Sequence, residues 1–296
     1  MIEIPARQAV TETRRIDHAV VAARNLDEAR DFYRRLGFQV GKRNHHPWGT
    51  ENRLIQFGSS FVELITVGEN AHLISPHEAR RFSFGAFIRD YLQQREGLAM
   101  LVLSSNNARR DAELFAERGI GDFETFSFER NGVKSDGANT RVAFSLAFAR
   151  DRIAREAGFF VCQQHTPENF WDSHLQHHAN HAENITAVAL TTSEPERHLA
   201  FFAAFTGVEN HARLSGDYTF DLKGGRIELL RDTQAEQPRF TSFTVQVDDT
   251  SAVARRLAAE KIPFTDSHGL LLVPSGSAFG VDIRFEAASG DGLLPA

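Results

Sequence analysis

Two short apolar segments each carry one ionisable residue on the face that their neighbours would bury. Side chains alternate along a strand, so Ile16, His18 and Val20 share one face of the segment 16–23, and Phe61, Glu63 and Ile65 share one face of the segment 60–67. An imidazole or carboxylate among apolar neighbours needs a partner or a bound ion. One imidazole nitrogen and one carboxylate oxygen suit Fe(II), Mn(II), Zn(II) or Ni(II). His18 and Glu63 are therefore read as metal ligands. The plain alternative is a half-exposed sheet that turns both into solvent.

A second polar cluster follows the first helix. Asn44, His45, His46, Pro47, Trp48, Gly49, Thr50, Glu51 and Asn52 crowd hydrogen-bonding groups around one indole, and Pro47 and Gly49 force a turn. This is expected to be a bulged strand at a pocket rim, with His46 as acid or base and a reserve ligand, and with Trp48 and Asn52 toward substrate. A surface loop is the alternative. His174, His177, His178 and His181 would share one face if 172–182 were helical. A His-rich linker with no metal is the favoured reading there, because no carboxylate accompanies the run. Phe170 and Trp171 should cover a core or a pocket. Cys162, the single cysteine, lies in an apolar strand and reads as packing. There is no G-x-S-x-G elbow, H-E-x-x-H pair or phosphate-binding P-loop.

The elements that must position these residues repeat. Residues 16–67 read as a strand, a helix capped by Asn25 and ended at Gly37, then strand pieces FQVGKR, NRLIQF and SFVELITV. The same order returns at 98–165, with Asn106 or Asn107 as cap and Gly119 as stop. A third unit begins at 185, with Ser193 as cap, and a fourth at 240; both look shortened. The expected fold is α+β: four βαβββ modules in two tandem pairs, each a half-open, barrel-like mixed sheet with helices outside. Residues 1–180 form the first pair, with a helical insertion at 68–97. Residues 181–296 form the second, structural or used for dimerisation.

Module one, through I-D-H-A-V-V at 16–21, L-D-E-A-R-D-F-Y-R-R-L-G-F at 26–38, H-H-P-W-G-T-E-N-R-L at 45–54 and F-V-E-L-I at 61–65, resembles the glyoxalase-like proteins of the vicinal oxygen chelate superfamily. The resemblance implies a divalent metal on the concave face of a module pair. It places ligands at His18 and Glu63 and calls for a third from module two. His165 is the choice, with Gln163 and Gln164 as alternatives, and Gln164 otherwise faces substrate. Ala99 or Met100 stands opposite His18, so module two lacks the first-strand ligand. Two tandem pairs look most like the extradiol dioxygenases. Thr186, Glu228 and Arg284 take the corresponding positions in modules three and four, so no second metal site is expected there.

Composition narrows the class. With 33 Lys+Arg against 39 Asp+Glu, a net charge of -6 offers no basic excess for nucleic acid. No apolar run reaches the roughly 18–20 residues of a membrane helix. The first residues, MIEIPARQAVTETRR, lack the apolar stretch of a secretory leader, so a cytoplasmic protein is expected. The resulting expectation is an enzyme that chelates a small vicinal-oxygen substrate on a divalent metal, by dioxygenase or by lyase/isomerase chemistry, with a homodimer as the expected assembly. The alternative is a resistance-type protein that binds a small molecule without turnover.

Overall fold

A computed structural model of the chain describes residues 13–134 and 137–288. Residues 1–12, on which the expectation of no secretory leader largely rests, lie outside the described residues. Module one comprises β1 (Ile16–Ala22), α1 (Leu26–Arg35), β2 (Asn44–His45), β3 (Thr50–Gln56) and β4 (Phe61–Val67). After α2 (Phe84–Gln94), module two comprises β5 (Gly97–Ser104), α3 (Ala108–Glu117), β6 (Phe126–Val133), β7 (Asn139–Ala149) and β8 (Gly158–Gln164). A short α4 (Pro167–Phe170) opens the linker. Module three comprises β9 (Ala182–Thr192), α5 (Leu199–Thr206), β10 (Ala212–Leu214), β11 (Asp217–Leu222) and β12 (Gly225–Arg231). Module four comprises β13 (Arg239–Val247), α6 (Thr250–Ala259), β14 (Thr265–Ser267), β15 (Leu270–Val273) and β16 (Asp282–Ala287).

Local chemistry sets the helix ends. Asn25 accepts from the backbone N–H groups of Asp27 and Glu28, and Asn107 accepts from that of Arg110. Asp249 caps α6 in the same way. Module three departs from expectation: Glu194, not Ser193, precedes a 3-10 turn at Pro195–His198, with no side-chain cap, because Pro195 tightens the entry into α5. The segment FQVGKR is not a strand either. Only Asn44 and His45 pair with β3, so residues 38–43 cross as extended coil.

The strands form two eight-stranded sheets, ordered β2-β3-β4-β1-β5-β8-β7-β6 and β10-β11-β12-β9-β13-β16-β15-β14. Each is two four-stranded modules joined through an antiparallel central pair, β1 with β5 and β9 with β13. Modules three and four keep all their strands, with β10 and β14 of three residues each against two in β2. The helix-bearing sides of both sheets share one core, from Tyr33, Leu101 and Phe159 to Val188, Phe243 and Phe285. A separate apolar cluster fills the concave side of the first sheet: Val20, Ile65, Met100, Val102, Phe144, Phe148 and Phe160, with Ile88 and Leu92 of α2 against it. The functional face is therefore walled off from the core that holds the modules together.

The linker is not the helix that would align its histidines. Residues 171–181 run as turns. Asp172 draws in the backbone N–H of His174, and the Gln56 side chain holds the chain on both sides of Trp171, donating to the Phe170 carbonyl and accepting from the Asp172 N–H. His178 is buried between the Gln39 N–H and the Gln56 carbonyl. His177 turns to the Ser173 carbonyl, and His181 is exposed beside Asp248. The four rings do not share a face.

Candidate functional site

A cavity opens on the concave face of the first sheet. Its walls are mostly rings, among them Phe61, Phe84, Phe128, Phe144, Phe160 and Phe170, and its polar groups are few: His18, His46, Asn52, Glu63, Arg130 and the Trp48 indole. An apolar pocket with a few convergent polar groups is the usual form of a small-molecule site.

His18 enters from β1. The ring stacks on Phe61 at 4.2 Å and meets the edge of Phe160 at 5.5 Å. Its Nδ1 lies 2.7 Å from Asp17 Oδ1. Strict alternation would place Asp17 on the opposite face, but the register slips between Ile16 and His18, and this bulge frees Asp17 to reach its neighbour. The other Asp17 oxygen accepts from Gln164 Nε2 at 3.1 Å. His18 Nδ1–H donates to Asp17, and Nε2 faces Glu63 Oε2 across 3.8 Å.

Glu63 enters from β4 and is buried. Asn52 donates to its Oε1 at 2.5 Å. Burial raises the Glu63 pKa, opposed by His18, the Asn52 hydrogen bond and Arg130. The same Asn52 nitrogen lies 3.2 Å from His46 Nε2, and Asn52 Oδ1 accepts from Asn44. His46 Nδ1 meets Thr50 Oγ1 at 2.8 Å, and its ring stacks on Trp48 at 4.5 Å. Burial, helped by the Arg130 and His45 cations, lowers the His46 pKa to about 3. His46 is thus a neutral ring that accepts from Asn52 and donates to Thr50. It holds the rim rather than offering a free acid or base.

Arg130, on β6, was not among the residues singled out from sequence. Phe126, Phe128 and Arg130 alternate onto one face of this strand. Burial lowers the Arg130 pKa, and Glu63 opposes that shift. Cys162 also lines the cavity, with its thiol pushed well above the usual range by burial and by the Asp17 and Glu63 carboxylates. It is an unreactive wall.

The structure brings His18, Glu63, His46, Trp48 and Asn52 to one cavity. It does not bring His165 there. Phe160 and Cys162 face the cavity, so His165 falls on the other face of the strand line, where it is exposed and bonds Ser145 Oγ at 2.8 Å. Gln164 follows Phe160 and Cys162 along the strand but is not among the cavity-lining residues; it donates to Asp17, and its Oε1 is buried and unpartnered.

The donor set can be tested against a resident divalent metal. In the central pair, Ala19 faces Leu101, so the two-fold relation of the modules carries His18 onto Met100. On the parallel neighbours, Val20 pairs with Glu63 and Val102 with Phe160, which carries Glu63 onto Phe160. Module two therefore sets a thioether and a phenyl ring where module one sets an imidazole and a carboxylate. One Glu63 oxygen is engaged by Asn52, and a guanidinium stands on the same wall. Among the described residues no three His, Cys, Asp or Glu side chains converge on a metal position. His46 Nε2 stands 4.0 Å from Glu63 Oε1 but accepts from Asn52, which leaves His18 and Glu63 as free donors, short of the three that a protein site with open positions uses. The set does not fit.

On the second sheet the corresponding polar residues pair with one another. Arg226 bonds Glu228 and Glu286, and Arg284 bonds Glu228 at 3.1 Å. No helix among the described residues is long and apolar enough to cross a membrane.

The model of the glyoxalase-like domain matches residues 16–206. No functionally curated protein matches the chain in sequence. Among solved structures, a hypothetical protein from Staphylococcus aureus superposes with a TM-score of 0.63 at 14% identity, covering 92% of this chain and 99% of its own. A mutant of 4-hydroxymandelate synthase from Streptomyces coelicolor gives 0.59 at 12% identity, covering 95% of each chain. The 2,3-dioxygenase LapB from Pseudomonas sp. KL28 gives 0.54 at 10% identity, covering 97% and 96%. At these identities the likeness is one of fold.

Proposed function

The chain belongs to the glyoxalase-like domain family of the vicinal oxygen chelate superfamily, and from that premise we propose an enzyme that moves a proton on a small, ring-bearing, oxygenated substrate. The observation that carries this reading is Glu63: a buried carboxyl with a raised pKa, facing His18 across 3.8 Å inside a phenyl-lined cavity. A carboxyl shifted upward is suited to exchange protons near neutral pH. Arg130 supplies positive charge on the same wall and would stabilise oxyanion character as the proton leaves carbon. His18, fixed by Asp17, accepts or returns a proton at Nε2. His46 and Asn52 hold the Glu63 carboxylate in place. The Trp48 indole N–H, buried without a partner, is a donor to spare for a substrate oxygen. The second module pair is assigned a structural or dimer-forming role.

A second reading keeps the divalent metal expected from the sequence, with chelation of vicinal oxygens. One observation favours it: a carboxylate on Nδ1 of a histidine is the customary support of a metal ligand. The two readings separate in one experiment. Phenylpyruvate and a panel of aryl ketones are incubated with the protein in D2O, and loss of the acidic C–H signal is followed by proton NMR, with metal content measured on the same sample. Proton-transfer chemistry predicts exchange above the solvent rate, lost in Glu63→Gln, without an equivalent of metal. One equivalent of metal that disappears in both His18→Ala and Glu63→Ala would favour the second reading. Ligand binding without exchange would favour the non-catalytic binding protein.

A further inference from the structure

A second chamber adjoins the cavity at Arg130, and Leu54, Arg130 and Phe170 line both. The two chambers differ in chemistry. The inner one is walled by rings. The outer one carries Lys42, Arg130 and Lys134 against one carboxylate, Asp172. Asp172 is already engaged, since it accepts from the His174 N–H and anchors the linker turn. Lys42 Nζ donates to the Val133 carbonyl at 2.9 Å, and Lys134 Nζ donates to the Glu168 carbonyl at 2.6 Å. Those carbonyls hold the ammonium groups in place but do not neutralise them. In a chain of net charge -6, a chamber with this balance draws anions.

We infer that the substrate is an amphiphile: a ring-sized apolar head seated beside His18 and Glu63, and an anionic tail that passes Arg130 into the chamber between Lys42 and Lys134. This rests on the inner cavity being the substrate site. Arg130 then stands at the neck, touching both parts of one molecule, while the two lysines set the preferred length. A tailless acid would use Arg130 alone.

Calorimetric titration with phenylacetate, 8-phenyloctanoate and the neutral 8-phenyloctan-1-ol tests the inference, on the wild type and on the Lys42→Gln/Lys134→Gln double variant. The wild type should bind 8-phenyloctanoate at least tenfold more tightly than phenylacetate. The double variant should weaken 8-phenyloctanoate about fivefold or more, while phenylacetate and the alcohol stay within twofold. Added salt should weaken the long acid in the wild type more than in the double variant. Equal effects on the long acid and its alcohol, or no effect on either, would overturn the two-chamber reading while leaving the inner site standing. Failure of all three probes to bind the wild type would overturn the inner site as well.

Discussion

Asp17 and His18 are consecutive residues of one strand, yet the carboxylate of the first lies 2.7 Å from Nδ1 of the second. The bulge that permits this leaves Asp17 buried with both oxygens engaged, one by His18 and one by Gln164. Asp17→Ala should therefore strand two buried polar groups, at a cost of about 1–3 kcal/mol. It should also release the His18 tautomer. Nitrogen NMR of the imidazole is expected to show the Nδ1–H form in the wild type and a mixture of tautomers in Asp17→Ala. Persistence of a single Nδ1–H form would show that Asp17 does not set it.

Glu63 carries the opposite energetic sign. Its folded-state pKa is raised, so the unfolded chain gives up this proton first as pH rises, and the folded state loses stability progressively above the ordinary glutamate range. Each unit between the two pKa values corresponds to about 1.4 kcal/mol. Glu63→Gln keeps an acceptor for Asn52 and removes the buried charge. Its melting temperature should exceed that of the wild type at pH 8, and the advantage should vanish near pH 4. A variant less stable than the wild type at pH 8 would mean that the carboxylate is better compensated than its surroundings indicate.

The ordering of these residues was only partly legible in the sequence. The faces of β1 and β4 follow from alternation, and both contribute their ionisable residue to the cavity as expected. Asn25, Asn107 and the glycines after α1 and α3 were readable because capping is local. Asp17 was not, because a bulge depends on the partner strand. Arg130 was not singled out because a lone charge on an alternating strand reads as solvent-facing. His165 followed from a third ligand that the resemblance demanded, whereas alternation along β8 already pointed its side chain away. The histidine run misled because helical spacing counts only if the backbone is helical. Here Gln56 and Asp172 fix the linker in turns.

His178 gives that linker a pH dependence. It accepts from the Gln39 N–H at Nδ1 and donates to the Gln56 carbonyl at Nε2, a pattern only the neutral ring can satisfy. Burial, with the His177 cation helping, lowers its pKa to about 4 against an ordinary value of 6.5. A lowered histidine pKa contributes stability above the unfolded value, lost as pH falls through the folded one. The window is thus pH 6.5 down to about 4, and the loss is at most about 3 kcal/mol from this residue. His46 adds to the loss in the same direction, with a folded value about 3. Urea unfolding between pH 4 and 7 should show this slope, and His178→Gln should flatten it while lowering stability at pH 7. An unchanged slope would remove His178 from the account.

Gly49 sets the turn that presents His46 and Trp48. Its φ is +88°, and a Cβ there would stand 2.6 Å from the Asn70 carbonyl oxygen. Gly49→Ala should cost about 1–3 kcal/mol through the left-handed backbone alone, before the clash is relieved. Because Trp48 packs its edge against Phe84, Phe126 and Phe128, its fluorescence should shift to the red in the variant as the indole loosens. An unshifted spectrum with wild-type stability would show that the turn tolerates a side chain.

The symmetry of the sheet offers the sharpest test of the metal question. Phe160 occupies the position that Glu63 holds in module one, and its ring edge lies 5.5 Å from the His18 ring. Phe160→His would set a third nitrogen or oxygen donor beside His18 and Glu63, on a rigid strand. Three such donors with open positions bind first-row metals in the order set by ligand type and geometry. Cobalt(II) titration, read by visible absorption, should then show a stoichiometric tetrahedral or five-coordinate spectrum in Phe160→His and none in the wild type. The substitution removes a buried ring and should cost about 3 kcal/mol or somewhat less, since histidine refills part of the space. Folding is checked by circular dichroism before titration. Stoichiometric cobalt in the wild type would mean that His18 and Glu63 suffice as protein donors, and the metal reading would then displace the metal-free one. Cobalt in the variant alone would identify Phe160 as the residue that separates this pocket from a metal centre.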